Sequence, residues 1–182
     1  MVIEQMLIKN NRPFRKLKGI RGIVVHWTAN TGKGADALSH YKYFNRGYVG
    51  ASAHYMVDQD RIVQLIPDDE VAWHVGDKPR SAQLPLRSKV LKGSSNPNDF
   101  LIGIEMCVNA GNNWIDTVDK TIWLISQLMD KYNFTVDDIY RHYDITGKDC
   151  PKMYMPVIIG NVKYDWVWQQ FKNQIIRFRS GL

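Results

Sequence analysis

The segment IYRHYDITGKDCP, residues 139–151, sets a histidine, His142, eight residues before a cysteine, Cys150, with a lysine, Lys148, two residues before that cysteine. Cys150 is one of two cysteines in the chain and lies in a polar, turn-rich stretch closed by Pro151. A packing cysteine is more at home inside an apolar run. A further histidine, His26, stands near the end of the apolar run GIVVHW at residues 22–27. Imidazole nitrogen and thiolate sulfur both suit zinc, and a catalytic zinc commonly takes three protein ligands and leaves a fourth position open. The gap between His142 and Cys150 lets the chain turn back so that both reach one ion. His26, more than a hundred residues away, would then clamp distant parts of the fold. The competing chemistry is a cysteine nucleophile with His142 as its base. That reading lacks a device to lower the thiol pKa, because Pro151 leaves no evident helix N-terminus at the cysteine.

Three other positions carry chemistry. Glu105 interrupts the near-continuous apolar run FLIGIEMCV at residues 100–108, and a carboxylate there is costly unless it is paired or used. Beside a metal it can serve as a general base. Lys148 can offer its ammonium to an oxyanion forming on a carbonyl. Trp73 and His74 open the segment WHVGD and are candidates to line a substrate cleft. His54, mid-strand in SAHYMV, reads as structural, and His40 reads as part of a solvated helix face. Cys107, two residues after Glu105, reads as a buried free thiol near the site, although a bridge to Cys150 is possible on paper.

These residues need elements to hold them. GIVVHW predicts a buried strand, and ADALSHYKYFNRG predicts a helix closed by Gly47. Residues 52–66 predict a hairpin around the polar turn DQD, and EVAWHVGD predicts a further short strand. Residues 77–99, rich in proline, glycine and serine, predict a long connection of the kind that is often functional. The apolar positions Val118, Ile122, Ile125, Met129 and Tyr132 predict an amphipathic helix over 116–132. IYRH predicts a brief strand ending at His142, and residues 161–178 predict a last helix. The order implies one α/β domain with a central mixed sheet flanked by helices, over residues 1–182 with a core at about 20–178 and no second domain.

Composition narrows the function classes. Hydrophobic residues make up 45% and charged residues 23% of 182 residues, an ordinary globular balance. No apolar run approaches the ~20 residues that span a bilayer. The first residues carry no apolar leader core and no small-residue cleavage site. If the protein works outside the cell, something other than a secretory leader must release it. The net charge of +6 favours polyanions: nucleic acid, anionic lipid or an anionic cell wall. No DNA- or RNA-reading motif accompanies that charge. Oligomeric state is not written in the sequence.

Taken together, GIVVHWTAN, SAHYMVDQDRIVQLIPDDEVAWHVGD, IGIEMCV and IYRHYDITGKDCP, with the amphipathic helix before the last, resemble the zinc-dependent N-acetylmuramoyl-L-alanine amidases. That class shares its fold with phage lysozyme-type amidases and peptidoglycan recognition proteins. The resemblance spans about residues 20–155 and lies nearest to autolysins and prophage endolysins. It implies a peptidoglycan hydrolase with one Zn2+ per chain, held by His26, His142 and Cys150. It implies that Glu105 activates water, that Lys148 stabilises the tetrahedral intermediate, and that Trp73 and His74 lie near the substrate. Some family members place a catalytic tyrosine just before the hairpin histidine. Here that position is Ala53, and Tyr55, two residues on, is expected on the same face but offset along the strand. The rival within the same fold is a module that binds peptidoglycan without cutting it.

Overall fold

The computed structural model describes residues 1–81 and 84–181. Its main sheet is built from β1 (Ile3–Gln5), β2 (Ile23–Trp27), β3 (Tyr55–Val57), β4 (Ile62–Gln64), β5 (Ile102–Met106) and β6 (Ile139–Arg141). They lie in the order β1-β4-β3-β5-β2-β6, and only the β3–β4 hairpin pair is antiparallel. The sheet is therefore mixed and flanked by helices, as the α/β reading requires. The central strands IVVHW and IGIEM are almost wholly apolar because both of their faces are covered.

Strand alternation sorts the side chains. Ile23, Val25, Ile102, Ile104 and Met106 face α3 (Trp114–Tyr132) and α5 (Trp166–Ser180), meeting Ile122, Ile125 and Phe171. The opposite face carries Val24, His26, Gly103, Glu105 and Cys107. One flank of that face is covered by α1 (Ala37–Asn45), whose Ala37 and Phe44 pack on Met56 and Cys107. The other flank is covered by α2 (Pro85–Leu91) and α4 (His142–Thr146), where Val90 and Ile145 pack with Val24 and Tyr140. His26 and Glu105 remain between the two covers, at the carboxyl ends of parallel strands, where open α/β sheets place their ligands.

The helices start where local chemistry starts them. The Asp36 side chain accepts from Ser39 N at the head of α1, and the Asn113 side chain accepts from Ile115 N at the head of α3. Asn133, in the left-handed conformation, closes α3. The junction of β6 and α4 is pinned by a buried ion cluster. Arg141, 3% exposed, holds Asp144 at 2.7 Å and Asp165 at 2.6 Å and donates to the Tyr154 carbonyl. Removing one partner of a buried pair strands the others. Arg141→Met is therefore expected to destabilise the protein by about 3–5 kcal/mol. A downshift in the urea midpoint would report it; an unchanged midpoint would mean that hydration of the two aspartates makes up for the lost guanidinium.

Four expectations change. EVAWHVGD forms no strand: Glu70 makes one isolated bridge to Lys16, and the chain then runs through bends into the cleft wall. The stretch 77–99 is not wholly irregular, since it contains α2 and a short 3-10 turn at Pro97–Asp99; Ala82 and Gln83 of that stretch lie outside the described residues. The last helix begins at Trp166, because residues 157–164 form a second hairpin, β7 (Val157–Ile159) and β8 (Val162–Tyr164), around Gly160–Asn161. Gly-Asn between two β-branched runs is a hairpin signal. Lastly, Ala53 and Tyr55 do not share a face. The His54 carbonyl accepts from both Leu65 N and Ile66 N, which interrupts the alternation as a bulge does. Ala53 packs beneath α1, while the Tyr55 hydroxyl donates to Asp68 on the α3 side of the sheet.

Candidate metal centre

Three of the predicted residues converge. His26 leaves the end of β2, and His142 opens α4 directly after the neighbouring β6. Gly147, at φ 79°, caps α4 in a conformation that suits glycine and turns the chain back. The Cys150 carbonyl then accepts from Tyr143 N at 3.0 Å, so the cysteine returns beside the histidine from which its segment departed. His26 Nδ1 lies 3.1 Å from His142 Nδ1 and 3.6 Å from Cys150 Sγ. All three residues are buried, and one donor atom from each falls within 4.8 Å of the others. Zinc bond lengths in a tetrahedron require edges of about 3.3 Å between nitrogens and about 3.6 Å between nitrogen and sulfur. The donor set and the two edges that meet at His26 therefore fit zinc.

The electrostatics point the same way. Burial, then the neighbouring histidines, hold His26 well below the usual imidazole range. Burial and the Lys148 ammonium bring His142 down to about 4. Both rings are neutral at pH 7, the form that ligates metal. Burial and the nearby Glu105 push the Cys150 thiol up to about 12, against the pull of the Trp27 backbone N–H. A cysteine nucleophile needs the opposite shift, whereas a bound cation deprotonates such a thiol outright. Neither cysteine is in a disulfide.

Glu105 pairs in register with His26 across β2 and β5. It is half-buried, and its Oε2 is buried without a hydrogen bond. Burial pushes its carboxyl up to about 8, with Lys148 pulling the other way. Lys148 is 46% exposed at the mouth, with Nζ 3.4 Å from Asp77 Oδ2; the same Asp77 oxygen is 3.3 Å from His142 Nε2. His26, His142, Cys150, Glu105 and Lys148 line one cleft. One wall carries Trp73 and Tyr48, their rings 6.0 Å apart and crossed edge to face. A second depression runs from Glu105 along α1 past His40, Lys42, Tyr43 and Arg46.

The pair Trp73–His74 is split by the fold. Trp73 is half-exposed on the cleft wall, but His74 is buried, with Nδ1 2.9 Å from His26 Nε2 and Nε2 3.0 Å from the Leu101 carbonyl. Its nitrogens address the protein, because the bend after Trp73 lays the ring over Gly103 of β5 beside His26. His40 is half-buried and donates from Nδ1 to the Asp36 carbonyl, so it is not a freely solvated residue. His54 is fully buried between the Glu70 carbonyl and Gly103 N. Asn98 was not singled out by sequence reasoning. Its Oδ1 accepts from both His74 N and Val75 N, and only its position after Pro97 in the connecting stretch hinted at a fixed turn.

Comparison with known proteins agrees with this architecture. The family profile described as N-acetylmuramoyl-L-alanine amidase matches residues 15–153. The chain is 40% identical over 177 residues to the N-acetylmuramoyl-L-alanine amidase BlyA of Bacillus subtilis, covering 95% of this chain and 46% of that protein. It thus spans about half the length of that relative. The catalytic domain of XlyA, an amidase of Bacillus subtilis, superposes with a TM-score of 0.76 at 31% identity, covering 96% of this chain and 99% of that domain. The amidase AmiD of E. coli, solved with anhydro-N-acetylmuramic acid-L-Ala-D-gamma-Glu-L-Lys, superposes with a TM-score of 0.59 at 25% identity over 85% of this chain and 57% of that one. By profile, by sequence and by fold, the chain belongs to the N-acetylmuramoyl-L-alanine amidase family.

Proposed function

We propose that the chain is a catalytic domain that hydrolyses the amide between the lactyl group of N-acetylmuramic acid and L-alanine in peptidoglycan, with one zinc held by His26, His142 and Cys150. The observation that carries this reading is the meeting of three zinc-compatible donor atoms with Glu105, whose buried Oε2 has no hydrogen-bond partner, in one open cleft. Zinc in such a donor set supplies Lewis acidity and keeps a coordination position for a small ligand.

The residues divide the remaining work. Glu105 accepts a proton from the attacking water as the carbonyl carbon becomes tetrahedral. It returns that proton to the nitrogen of L-alanine as the C–N bond breaks, leaving a lactyl carboxylate and a free amine. Burial raises its proton affinity in the zinc-free protein and a dication in the site would lower it again, so that the carboxylate can take a proton from water and give it back. The Lys148 ammonium faces the developing oxyanion from the mouth of the cleft. Trp73 and Tyr48 offer ring surface to the sugar. Lys42 and Arg46 offer cations to the carboxylates of the stem peptide, the kind of peptide present in the AmiD complex. The basic surface draws the protein to an anionic wall, an attraction that salt weakens.

The test is one digest of purified walls, assayed for new L-alanine amino termini and new reducing ends, with metal content measured on the same preparation. New amino termini with about one zinc per chain are expected, and both should fall on chelation. New reducing ends would place the cleavage at a glycosidic bond. Wall binding with neither product would make the chain a binding module.

A further inference from the structure

His74 is buried in the wall of the cleft, in the middle of a row of histidines. The rings of His54, His74, His26 and His142 follow one another with centroids 5.6, 5.1 and 4.8 Å apart, each crossed edge to face. The hydrogen bonds along this row have a direction. A carbonyl oxygen only accepts, so His74 Nε2, 3.0 Å from Leu101 O, must carry the proton. The ring is buried and no carboxylate is among its hydrogen-bond partners, so it carries that one proton and Nδ1 keeps a bare lone pair. Among the described residues, the proton within its reach is the one on His26 Nε2, at 2.9 Å between the nitrogens. His26 is then the Nε2–H tautomer, and its Nδ1 lone pair points at His142 and Cys150.

We propose that His74 is a positioning residue of the metal centre: it relays the Leu101 carbonyl to His26 and fixes that ligand in the tautomer and orientation that present Nδ1 to zinc. The consequence for the metal rests on the zinc reading above; the tautomer assignment does not. Two features outside the row show that the fold is shaped around this ring. Gly103 leaves the space that the ring fills, because a Cβ at that position would lie 2.6 Å from the His74 ring. Asn98 fixes the backbone on which the ring stands through its two bonds to His74 N and Val75 N. A group bonded to a ligand's second nitrogen sets how strongly that ligand binds, and its loss costs about 10–100-fold in metal affinity.

The test compares His74→Phe, which keeps the ring volume but neither nitrogen, with His74→Gln, whose amide can accept from His26 and donate to Leu101. Zinc affinity is measured by chelator competition, and thermal unfolding is measured on the zinc-free forms. His74→Phe is expected to lose about 10–100-fold in zinc affinity, and His74→Gln to recover most of it. Unchanged zinc affinity in His74→Phe would overturn the proposal. Equal losses in both variants, tracking their loss of zinc-free stability, would also overturn it and leave His74 a packing residue. Nitrogen-15 spectroscopy of zinc-free wild type supplies a readout that needs neither variant. His26 should show a protonated Nε2 and a bare Nδ1, and the reverse pattern would refute the relay. If wild type held no zinc at all, the amidase reading would fail while this spectrum still decided the relay.

Discussion

Cys150→Ser is expected to reduce bound zinc from about one per chain to a small fraction and to lower wall hydrolysis by about a thousandfold or more. Serine offers a neutral, hard oxygen where zinc takes a thiolate, and it leaves two imidazoles as the remaining strong donors. The pH dependence of zinc binding in wild type tests the same assignment. The His26 and His142 rings are already neutral at pH 7, so they release no proton on binding. The Cys150 thiol, pushed up to about 12, must release one. Apparent affinity should therefore rise about tenfold per pH unit above pH 8. Between roughly pH 5 and 8 the Glu105 carboxyl, pushed up to about 8, releases a second proton to solvent when a dication binds nearby, and the slope should steepen toward two. Glu105→Gln should bring the slope back to one across the whole range. An affinity that is flat with pH would mean that the thiolate exists before metal arrives, which the buried position of Cys150 does not allow.

The parts of this site that were legible in the sequence are those set by local pattern. GIVVHW and IYRH read as buried strands because their apolar runs end in a polar group, and a polar group at the end of a buried parallel strand reaches the functional edge of the sheet. Glu105 was legible for the complementary reason: it breaks an apolar run that has no local partner for it. His74 was not legible, because its role depends on a carbonyl at Leu101, a missing Cβ at Gly103 and an amide at Asn98, all more than twenty residues away. The displacement of Tyr55 was hidden similarly. Strand alternation predicts a shared face with Ala53, and only the double acceptance at the His54 carbonyl breaks it. The second hairpin was legible but overlooked. Its Gly160–Asn161 turn sits between Val-Ile-Ile and Val-Lys-Tyr, and the helical spacing from Tyr164 onward drew that segment into the helix.

Glu105→Gln separates catalysis from stability in opposite directions. The amide keeps the size of the side chain but cannot take a proton from water, so hydrolysis should fall by about 10²–10⁴-fold while zinc remains bound. Stability of the zinc-free protein should move the other way. The carboxyl titrates near its usual 4.5 when unfolded and near 8 when folded, because burial disfavours its charge. Between those values the folded chain holds a proton that the unfolded chain has lost, so wild-type stability falls as pH rises from 5 to 8. The amide of the variant has no charge to bury, and that slope should vanish. At pH 8 the variant should exceed wild type by about 1–3 kcal/mol, a figure reduced from the full shift because the side chain is only half-buried and faces Lys148. Urea unfolding of chelated wild type and variant at pH 5 and pH 8 measures both quantities. Equal slopes in the two proteins would mean that water already solvates the carboxyl, and the case for Glu105 as a base with a raised pKa would lapse. A vanished slope with retained hydrolysis would keep the buried charge but move the proton transfer to another group. The lost slope and the lost hydrolysis appearing together would tie a side chain that is costly to bury in the zinc-free fold to the chemistry of the loaded site, because the same buried position that disfavours its charge sets it beside the metal ligands.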